Sequence, residues 1–449
     1  MFFPTVLAVY FALGRLRAEL CNGWLLLSSL FFYGYWDITF LPLLIGSIAV
    51  NYIIARLILR RRSKIFFIVG LSFNIGLLGV YKYSNLGLIL PLGISFFTIT
   101  QLLYIYDCYA GVSKDHGLVN YALFVSFFPH LMAGPILYHR QMFKQFDNPA
   151  LRSPEWQNLS SGLILFTIGL IKKVMIADQL SPYVGEGFGS TATLDCLTAW
   201  LTSISYMLQL YFDFSGYSDM AVGLSKMMNL DIPINFNSPY RASSMINFWQ
   251  RWHISLTNAI TACVYMPIIR RLKTRTLGHT VTASFIAFFI VGIWHGAGWN
   301  FVVFALLNAI GIVVNYVWKF YNRSMPKPLA HVVLLAYVLL TMIFFRAESI
   351  DNALEMIAAM VGANGIVFPQ KIVTLASMFG VDLTVGNVPG SLDKIIFALA
   401  IGLVAFAPNS NQLTKKIAPS PIWAAATAVA LFIAVLHLSR VTEFLYFQF

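Results

Sequence analysis

Residues 281–299 read VTASFIAFFIVGIWHGAGW, and this stretch decides what kind of fold the chain adopts. Fourteen mostly apolar residues, Val281 to Trp294, lead directly into His295, and another long apolar run starts at Phe301. Apolar runs of this kind predict membrane-crossing helices. An ionisable side chain inside them is disfavoured unless it lines a polar cavity or a reaction path. His295 is therefore a candidate functional residue, and the alternative is that it merely hydrogen-bonds a neighbouring helix.

The glycines beside this histidine strengthen the functional interpretation. Gly296 and Gly298 allow the backbone to bend or unwind directly after His295. Irregular backbone at membrane depth is tolerated only where it packs against protein or lines a water-filled cavity. The sequence therefore predicts broken helices around an internal space.

The composition of the whole chain agrees with a membrane protein. The 449 residues are 58% hydrophobic and only 11% charged, whereas a soluble protein carries about 25% charged residues. We predict an all-α fold, a polytopic helical bundle in which re-entrant or tilted helices surround a central tunnel. We expect a single membrane domain over residues 1–449 and no separate soluble domain. The four cysteines show no paired spacing, so we expect no disulfide framework and no metal site.

The net charge of +12 does not indicate a nucleic-acid partner, because the basic residues cluster between apolar runs. This is the positive-inside pattern, which places short basic loops in the cytoplasm. Arg15 and Arg17 predict a cytoplasmic first loop, and the cluster Arg60 to Lys64 predicts the next one. Lys415 and Lys416 mark a final cytoplasmic loop. We therefore expect both termini, including the tail 440–449, outside the cytoplasm.

Several apolar runs are shorter than the roughly 20 residues that cross a bilayer, which suggests re-entrant or tilted helices. Two regions are polar enough to be expected outside the hydrocarbon, from about Asp213 to Arg275 and from about Arg346 to Ser391. The predicted spans or part-spans lie at about 2–13, 23–36, 40–58, 65–81, 86–106, 118–136, 158–179, 196–212, 281–295, 299–319, 329–345, 392–407 and 421–438.

A second histidine stands in a motif of its own, upstream of the first. Residues 248–255 read FWQRWHIS and contain His253, and residues 211–219 read YFDFSGYSD. Together with Trp294-His295-Gly296, these segments resemble the membrane-bound O-acyltransferase family, in its bacterial branch of alginate O-acetylation proteins and peptidoglycan O-acetyltransferases. Further matching segments extend the resemblance over most of the chain. They are FFYGYW at 31–36, PLGISFF at 91–97, AGPI at 133–136 and FRAE at 345–348.

The resemblance implies a catalytic role for His295 and a second active-site position at His253. The chemistry agrees, because acyl transfer from a thioester to a hydroxyl needs a base at the hydroxyl proton, and imidazole suits that task near neutral pH. We expect His295 to be the base and His253 to be accessory, with His253 beside Arg251 either positioning the donor or supporting developing charge. The alternative for His253, as for His295, is a hydrogen bond to a neighbouring helix.

Other residues are weaker candidates for lining or supporting the tunnel: Trp294, Trp252, Arg251, Asp213 and Asn308. Asp213 and Asp219 are open to two interpretations, since they either orient a histidine or pair with Arg241 or Arg251 to hold a loop. Asn308 stands where alginate-type members usually carry another histidine, which weakens alginate as the expected acceptor. Asp107 is interpreted as structural, and His130 as either a tunnel residue or a satisfied core histidine.

The C-terminal sequence EFLYFQF, residues 443–449, adds a separate signal. Phe444, Tyr446 and Phe449 resemble the Phe-x-Tyr-x-x-Phe tail of family members that export acyl groups. This resemblance implies that Tyr446 accepts the acyl group before an extracytoplasmic partner takes it. The alternative is that Tyr446 anchors the tail at the headgroup level, where tyrosine is enriched.

The sequence therefore predicts a membrane O-acetyltransferase without a bound cofactor. It would take acetyl from a cytoplasmic thioester, acetyl-CoA in particular, for O-acetylation of a surface polysaccharide such as alginate or peptidoglycan. The resemblance implies a separate esterase-like transferase of the SGNH type outside the membrane. The alternative function is a non-enzymatic transporter or channel, since intramembrane histidines and broken helices also suit transport.

Overall fold

The computed structural model describes residues 1–84, 86–271, 276–368, 370–379, 384–385, 393–417, 420–438 and Leu445. Within these residues the chain forms a helical bundle, and the single β-bridge between Phe368 and Val385 is not extended into a strand. The predicted all-α class is confirmed, and the tunnel expected at its centre remains a prediction. The α-helices are α1 Phe2–Leu16, α2 Leu20–Trp36, α3 Leu41–Arg61, α4 Lys64–Tyr83, α5 Ile94–Tyr109, α6 Leu118–Ser126, α7 Phe128–Leu131, α8 His139–Phe146, α9 Trp156–Ile171, α10 Asp178–Gly189, α11 Cys196–Met227, α12 Met245–Trp249, α13 Ile254–Ile260, α14 Met266–Arg270, α15 Leu277–His295, α16 Trp299–Phe320, α17 Lys327–Arg346, α18 Ile350–Met360, α19 Gln370–Ser377, α20 Lys394–Phe406, α21 Ser410–Lys416 and α22 Pro421–Leu436.

Six helical segments of the described chain are long and apolar enough to cross a membrane. They are Ile38–Arg61, Lys64–Tyr83, Trp156–Gly189, Leu277–His295, Trp299–Phe320 and Lys327–Arg346. The pair α20 and α21 would make a seventh, although it is bent by 67° between its two parts. These helices are those of a multi-pass integral membrane protein.

The expected interruptions of helices are present in the first half of the bundle. In the predicted part-span 86–106, helix α5 begins only at Ile94, after Gly93 adopts a left-handed φ of 67°. A Cβ at Gly93 would collide with the carbonyl oxygen of Leu131, so the chain needs glycine there for two reasons. The run 118–136 likewise divides into α6 and α7, with a break at Phe127.

Helix α11 is longer than the span predicted at about 196–212, and Asp213 lies within it, where a polar region outside the hydrocarbon was expected to begin. Helix α11 continues unbroken from Cys196 to Met227. Asp213 and Asp219 are buried inside the bundle, with exposed fractions of 1% and 5%. They stay inside because each carboxylate has a lysine partner, which composition alone did not indicate.

Helices α9 and α11 approach each other at two pairs of glycines. A Cβ on Gly169 would lie 2.5 Å from the carbonyl oxygen of Gly216, and a Cβ on Gly162 would lie 2.6 Å from that of Gly223. Small residues let helix backbones pack this closely in membranes. Within each helix the two glycines are seven residues apart, so the two helices remain in contact over at least two turns.

This close approach brings charged side chains together. A turn of π-helix, Lys172–Ala177, follows α9, and such turns often occur at functional sites. The Lys172 ammonium lies 2.6 Å from the Asp219 carboxylate, and that of Lys173 lies 2.8 Å from the Asp213 carboxylate. Lys173 also pairs with Asp178 at 2.7 Å. The glycine contact therefore sets the distance across which two buried ion pairs form.

We predict that Gly169→Val destabilises the protein by about 1–3 kcal/mol, the usual cost of overpacking, because the new methyl groups meet the Gly216 backbone. The measurement is the apparent melting temperature of the detergent-purified protein. The matched control is Gly46→Val in α3, where a Cβ meets nothing within 4 Å. A Gly169→Val protein as stable as the Gly46→Val protein would contradict the proposed close contact.

Candidate active site

His295 is the last residue of α15, and it lies deep in the bundle with an exposed fraction of 4%. Gly296 follows it in an extended conformation and ends the helix. A Cβ at Gly296 would collide with the ring of Phe301 in α16, so a glycine is needed for the tight connection between these helices. The sequence thus places the imidazole at the break between two apolar helices, as predicted.

His253 occupies the short link between α12 and α13 and is also buried, with an exposed fraction of 1%. Its backbone has a left-handed φ of 43°, which is uncommon for a residue other than glycine. Such conformations cost about 1–3 kcal/mol and persist where the surrounding structure holds them, often at functional sites.

Hydrogen bonds on the C-terminal side of His253 hold this conformation. The amide of Ile254 donates to the carbonyl oxygen of Asn235 at 3.0 Å, and the Ser255 hydroxyl donates to the Asn235 side chain at 2.6 Å. The same hydroxyl accepts the amide of Ile136 at 2.9 Å. The link is therefore held by two distant segments of the chain.

The indole of Trp294 packs against the rings of both histidines. Its centroid lies 4.8 Å from that of His295 and 6.4 Å from that of His253, edge-on in both cases. The indole nitrogen donates to the carbonyl oxygen of Ser95 at 3.3 Å, which fixes the ring against α5. Residues 42 positions apart in sequence are thereby gathered at one place, as the resemblance implied.

The end of α15 is held by two residues that sequence reasoning missed. The Lys82 ammonium donates to the carbonyl oxygens of Trp294 at 2.7 Å and of His295 at 3.0 Å. The Tyr83 hydroxyl donates to the carbonyl oxygens of Ile293 and Gly296. A cation at a helix C-terminus is favourable, because the last carbonyls lack helical partners and carry partial negative charge. The available signal was a Lys-Tyr pair ending an apolar run, but nothing in the sequence connected it to residue 295.

Aromatic side chains enclose the His295 ring on the side of α16 and α17. Phe345 packs edge-on against it at 5.0 Å, and Phe304 does so at 6.2 Å. Asn308, one turn after Phe304, donates to the Phe304 carbonyl and accepts the Trp249 indole N–H at 3.1 Å. Asn308 thus supports the wall of the site through Trp249 and Phe304.

Two of the predicted support residues contact the segment that carries His253. Trp252 stacks on Phe248 at 5.7 Å, within an aromatic cluster that also includes Tyr240. Arg251 bonds the Asn247 side chain and the Asn237 carbonyl oxygen. Both residues hold the segment that carries His253, so they support the site indirectly.

The expected pairing of Asp213 and Asp219 with Arg241 or Arg251 is wrong. Lys173 and Lys172 are their partners, as described above, and Arg241 bonds the carbonyl oxygens of Val404 and Ala407. The π-helical turn that presents both lysines to α11 was not visible in the sequence. Tyr446, Phe444 and Phe449 lie outside the described residues, while Leu445 between them is buried.

Asp107 makes the contacts of a structural residue, and His130 is a core histidine with a hydrogen bond at one ring nitrogen, so its tunnel role stays a prediction. Asp107, at the end of α5, lies 3.5 Å from His139 and 3.9 Å from Arg140. Burial, with a smaller contribution from the Arg140 charge, lowers the pKa of His139 to about 4, so this ring is neutral at pH 7. His130 is fully buried and bonds the carbonyl oxygen of Phe124 at 3.2 Å.

Two further features concern metals and thiols. Within the described ranges, no group of three or more His, Cys, Asp or Glu side chains is arranged to hold a metal ion. The four cysteines, Cys21, Cys108, Cys196 and Cys263, are free thiols.

We predict that Lys82→Met loosens the last turn of α15, because it removes two hydrogen bonds and a charge worth about 1–2 kcal/mol in a partly buried position. The measurement is amide hydrogen exchange in peptides covering residues 290–298, which should become faster. The control is Lys319→Met, which removes an exposed lysine from the last turn of α16. Unchanged exchange at 290–298 in Lys82→Met would contradict the role of Lys82.

Comparison with known proteins agrees with this geometry. The profile of the membrane-bound O-acyltransferase family (MBOAT) matches residues 89–350. This range includes both histidines and the helices α5 to α17 around them.

Curated relatives carry the similarity over most of the chain. A peptidoglycan O-acetyltransferase of Helicobacter pylori is 39% identical over 394 residues, covering 76% of this chain and 74% of that protein. The protein named "Probable alginate O-acetylase AlgI" of Pseudomonas aeruginosa is 33% identical over 391 residues, or 80% of this chain and 73% of that protein. A teichoic acid D-alanyltransferase of Streptococcus thermophilus is 27% identical over 246 residues, covering 53% and 59% of the two chains.

These matches favour an enzyme over a transporter or channel, because the family and these relatives are acyl-transferring enzymes. The buried histidine pair, the broken helices around it and the extent of the matching sequence lead to one assignment. The chain belongs to the membrane-bound O-acyltransferase family and is an O-acyltransferase.

Proposed function

We propose that this enzyme moves acetyl groups from a cytoplasmic thioester, acetyl-CoA in particular, to the outside of a bacterial inner membrane for O-acetylation of a surface polysaccharide. The observation that carries the proposal is the gathering of His295 and His253 around Trp294 at a helix break inside an apolar bundle. A buried site with positioned imidazoles suits acyl transfer, which needs a base and the exclusion of competing water.

In this mechanism His295 is the general base. The acceptor hydroxyl gives its proton to the imidazole as its oxygen attacks the thioester carbonyl carbon. The carbon–sulfur bond then breaks, the new carbon–oxygen ester bond remains, and the proton passes from the imidazolium to the departing thiolate. His253 lies close enough to act on His295 electrostatically and helps to orient the reacting groups.

The proposed direction of transfer follows from the basic clusters. Arg15 lies in the last turn of α1, Arg60 and Arg61 end α3, and Lys415 and Lys416 end α21. With these helix ends in the cytoplasm, both chain termini lie outside. The thioester then enters from the side of the basic loops, and the acetyl group leaves on the side of the C-terminal tail.

The acceptor class is proposed from the relatives. Two of them are named for acetylation of peptidoglycan and of alginate, both polysaccharides outside the inner membrane. We propose that an SGNH-type esterase-like transferase outside the membrane places the acetyl group on the sugar.

Tyr446 is the proposed intermediate acceptor. A phenol with a pKa of about 10 is a better leaving group than an aliphatic alcohol, so its acetyl ester remains an active donor. Such an ester could receive acetyl from the thioester and still pass it on to a serine of the partner. The neighbouring residue Leu445 is buried inside the bundle, which supports access of the tail to its interior.

We predict that His295→Ala lowers acetyl transfer by about 10²-fold or more, the usual contribution of a positioned base. His253→Ala should reduce transfer less. The measurement is acetylation of the surface polymer in cells, together with thiol release from acetyl-CoA by the purified protein.

The matched control is His437→Ala, since His437 is partly exposed at the end of α22 and bonds only a carbonyl oxygen of that helix among the described residues. This variant should be fully active. Activity of His295→Ala near that of the control, at equal protein levels, would eliminate the general-base role.

We predict that Tyr446→Phe abolishes polymer acetylation, although the ring and its capacity to anchor the tail are retained. Tyr35→Phe is the control, because Tyr35 is a highly exposed tyrosine near the end of α2. If Tyr446 only anchors the tail, both variants should be nearly silent. Normal polymer acetylation in Tyr446→Phe would therefore refute the carrier role and favour direct transfer to the partner.

A further inference from the structure

The C-terminal tail reaches into the bundle at one described residue. Leu445 has an exposed fraction of 6%, and its amide donates to Asp213 Oδ2 at 3.0 Å. Asp213 lies near the middle of α11, and Lys173 is its ion-pair partner. A backbone amide from the far end of the chain is therefore bound to a buried carboxylate.

The face of α11 on the N-terminal side of Asp213 carries further buried polar groups. Ser205, Tyr206 and Gln209 lie on that face, because their spacing from residue 213 returns them to the same side of a helix. Their exposed fractions are 0%, 1% and 3%. The Ser205 and Tyr206 hydroxyls and the Gln209 amide oxygen have no hydrogen-bond partner among the described residues.

Arg346 contributes a positive charge to the same place. Arg346 and Asp213 both interact electrostatically with Tyr206. The Arg346 guanidinium packs over the Phe188 ring at 5.2 Å, and its buried Nε likewise has no hydrogen-bond partner in the described part of the chain. No described carboxylate lies within ion-pair distance of it.

These buried polar groups need hydrogen-bond partners. Buried polar groups without a partner cost free energy, and non-helical backbone inside a membrane must find partners within the protein. A chain segment that enters the bundle supplies backbone groups that can pair with them. Leu445 already makes the first of these hydrogen bonds.

We propose that the face of α11 formed by Ser205, Tyr206, Gln209 and Asp213, together with Arg346, is an intramolecular binding seat for the backbone of the C-terminal tail around Leu445. Asp213 binds the amide of Leu445, and the other polar groups bind neighbouring backbone groups of the tail. The Lys173–Asp213 ion pair holds the carboxylate in place for this purpose.

The seat also positions Tyr446, the proposed acyl acceptor, and this part of the inference rests on the proposed function. Tyr446 follows Leu445 directly, so fixing the Leu445 amide limits where the tyrosine hydroxyl can go. Asp213 is then a positioning residue that acts through the tail, without touching the thioester. The binding of the tail itself requires no chemistry and is measurable in an inactive protein.

The test is the accessibility of a cysteine placed at position 445. Cys196 and Cys263 are first replaced by alanine in the full-length protein, while Cys21 and Cys108 are buried and stay. In the purified Leu445→Cys protein, a charged maleimide should react slowly. Adding Asp213→Ala should accelerate labelling about tenfold or more, since a hydrogen bond to a charged group and the tail contacts that depend on it are lost.

Asp219→Ala is the matched control, because it breaks the other buried Lys–Asp pair of α11 without touching Leu445. Gln209→Leu provides a second test that leaves both ion pairs intact, and it too should accelerate labelling. Labelling in Asp213→Ala and in Gln209→Leu that is no faster than in Asp219→Ala would overturn the proposal. Tyr446→Phe should leave the labelling slow, so loss of the carrier role and loss of the seat give different results.

Discussion

Two buried ion pairs between the π-helical turn and α11 are the constraint on which the arrangement of this enzyme depends. Lys172 with Asp219 and Lys173 with Asp213 place four charges inside an apolar bundle. Removing one partner of such a pair typically costs about 3–5 kcal/mol, because the other charge is left buried. The glycine contacts between α9 and α11 bring the partners within reach. Packing and charge therefore fix α11 together, and α11 carries the surface on which the tail is bound.

The two histidines are positioned by a different means, through the backbone of their own segments. His295 depends on Lys82 and Tyr83, which occupy the last carbonyls of α15. His253 depends on Asn235 and Ser255, which hold its left-handed backbone. Neither imidazole is placed by its own helix alone, because both stand at helix breaks, where the local backbone is least constrained. The rigidity needed for catalysis comes from hydrogen bonds between segments far apart in sequence.

The sequence predicted those features that depend on local pattern. Apolar runs indicated the helical bundle, and the histidine between glycines indicated the break after α15. It did not predict features that depend on contacts across the bundle. Lys82 is more than two hundred residues from His295, and Asp213 was expected to pair with an arginine because the π-helical turn was invisible. The length of α11 was also missed, since its acidic residues resemble those of a loop until their lysine partners are known.

In the proposed reaction, acetyl passes from the thioester through the site of His295 to the C-terminal tail. The most direct measurement is mass spectrometry of the tail peptide after the purified protein is incubated with an isotope-labelled acetyl thioester. We expect one labelled acetyl ester on Tyr446 in the wild type and none in His295→Ala. An unlabelled tail in a wild-type preparation that consumes the thioester and acetylates an added acceptor would contradict it.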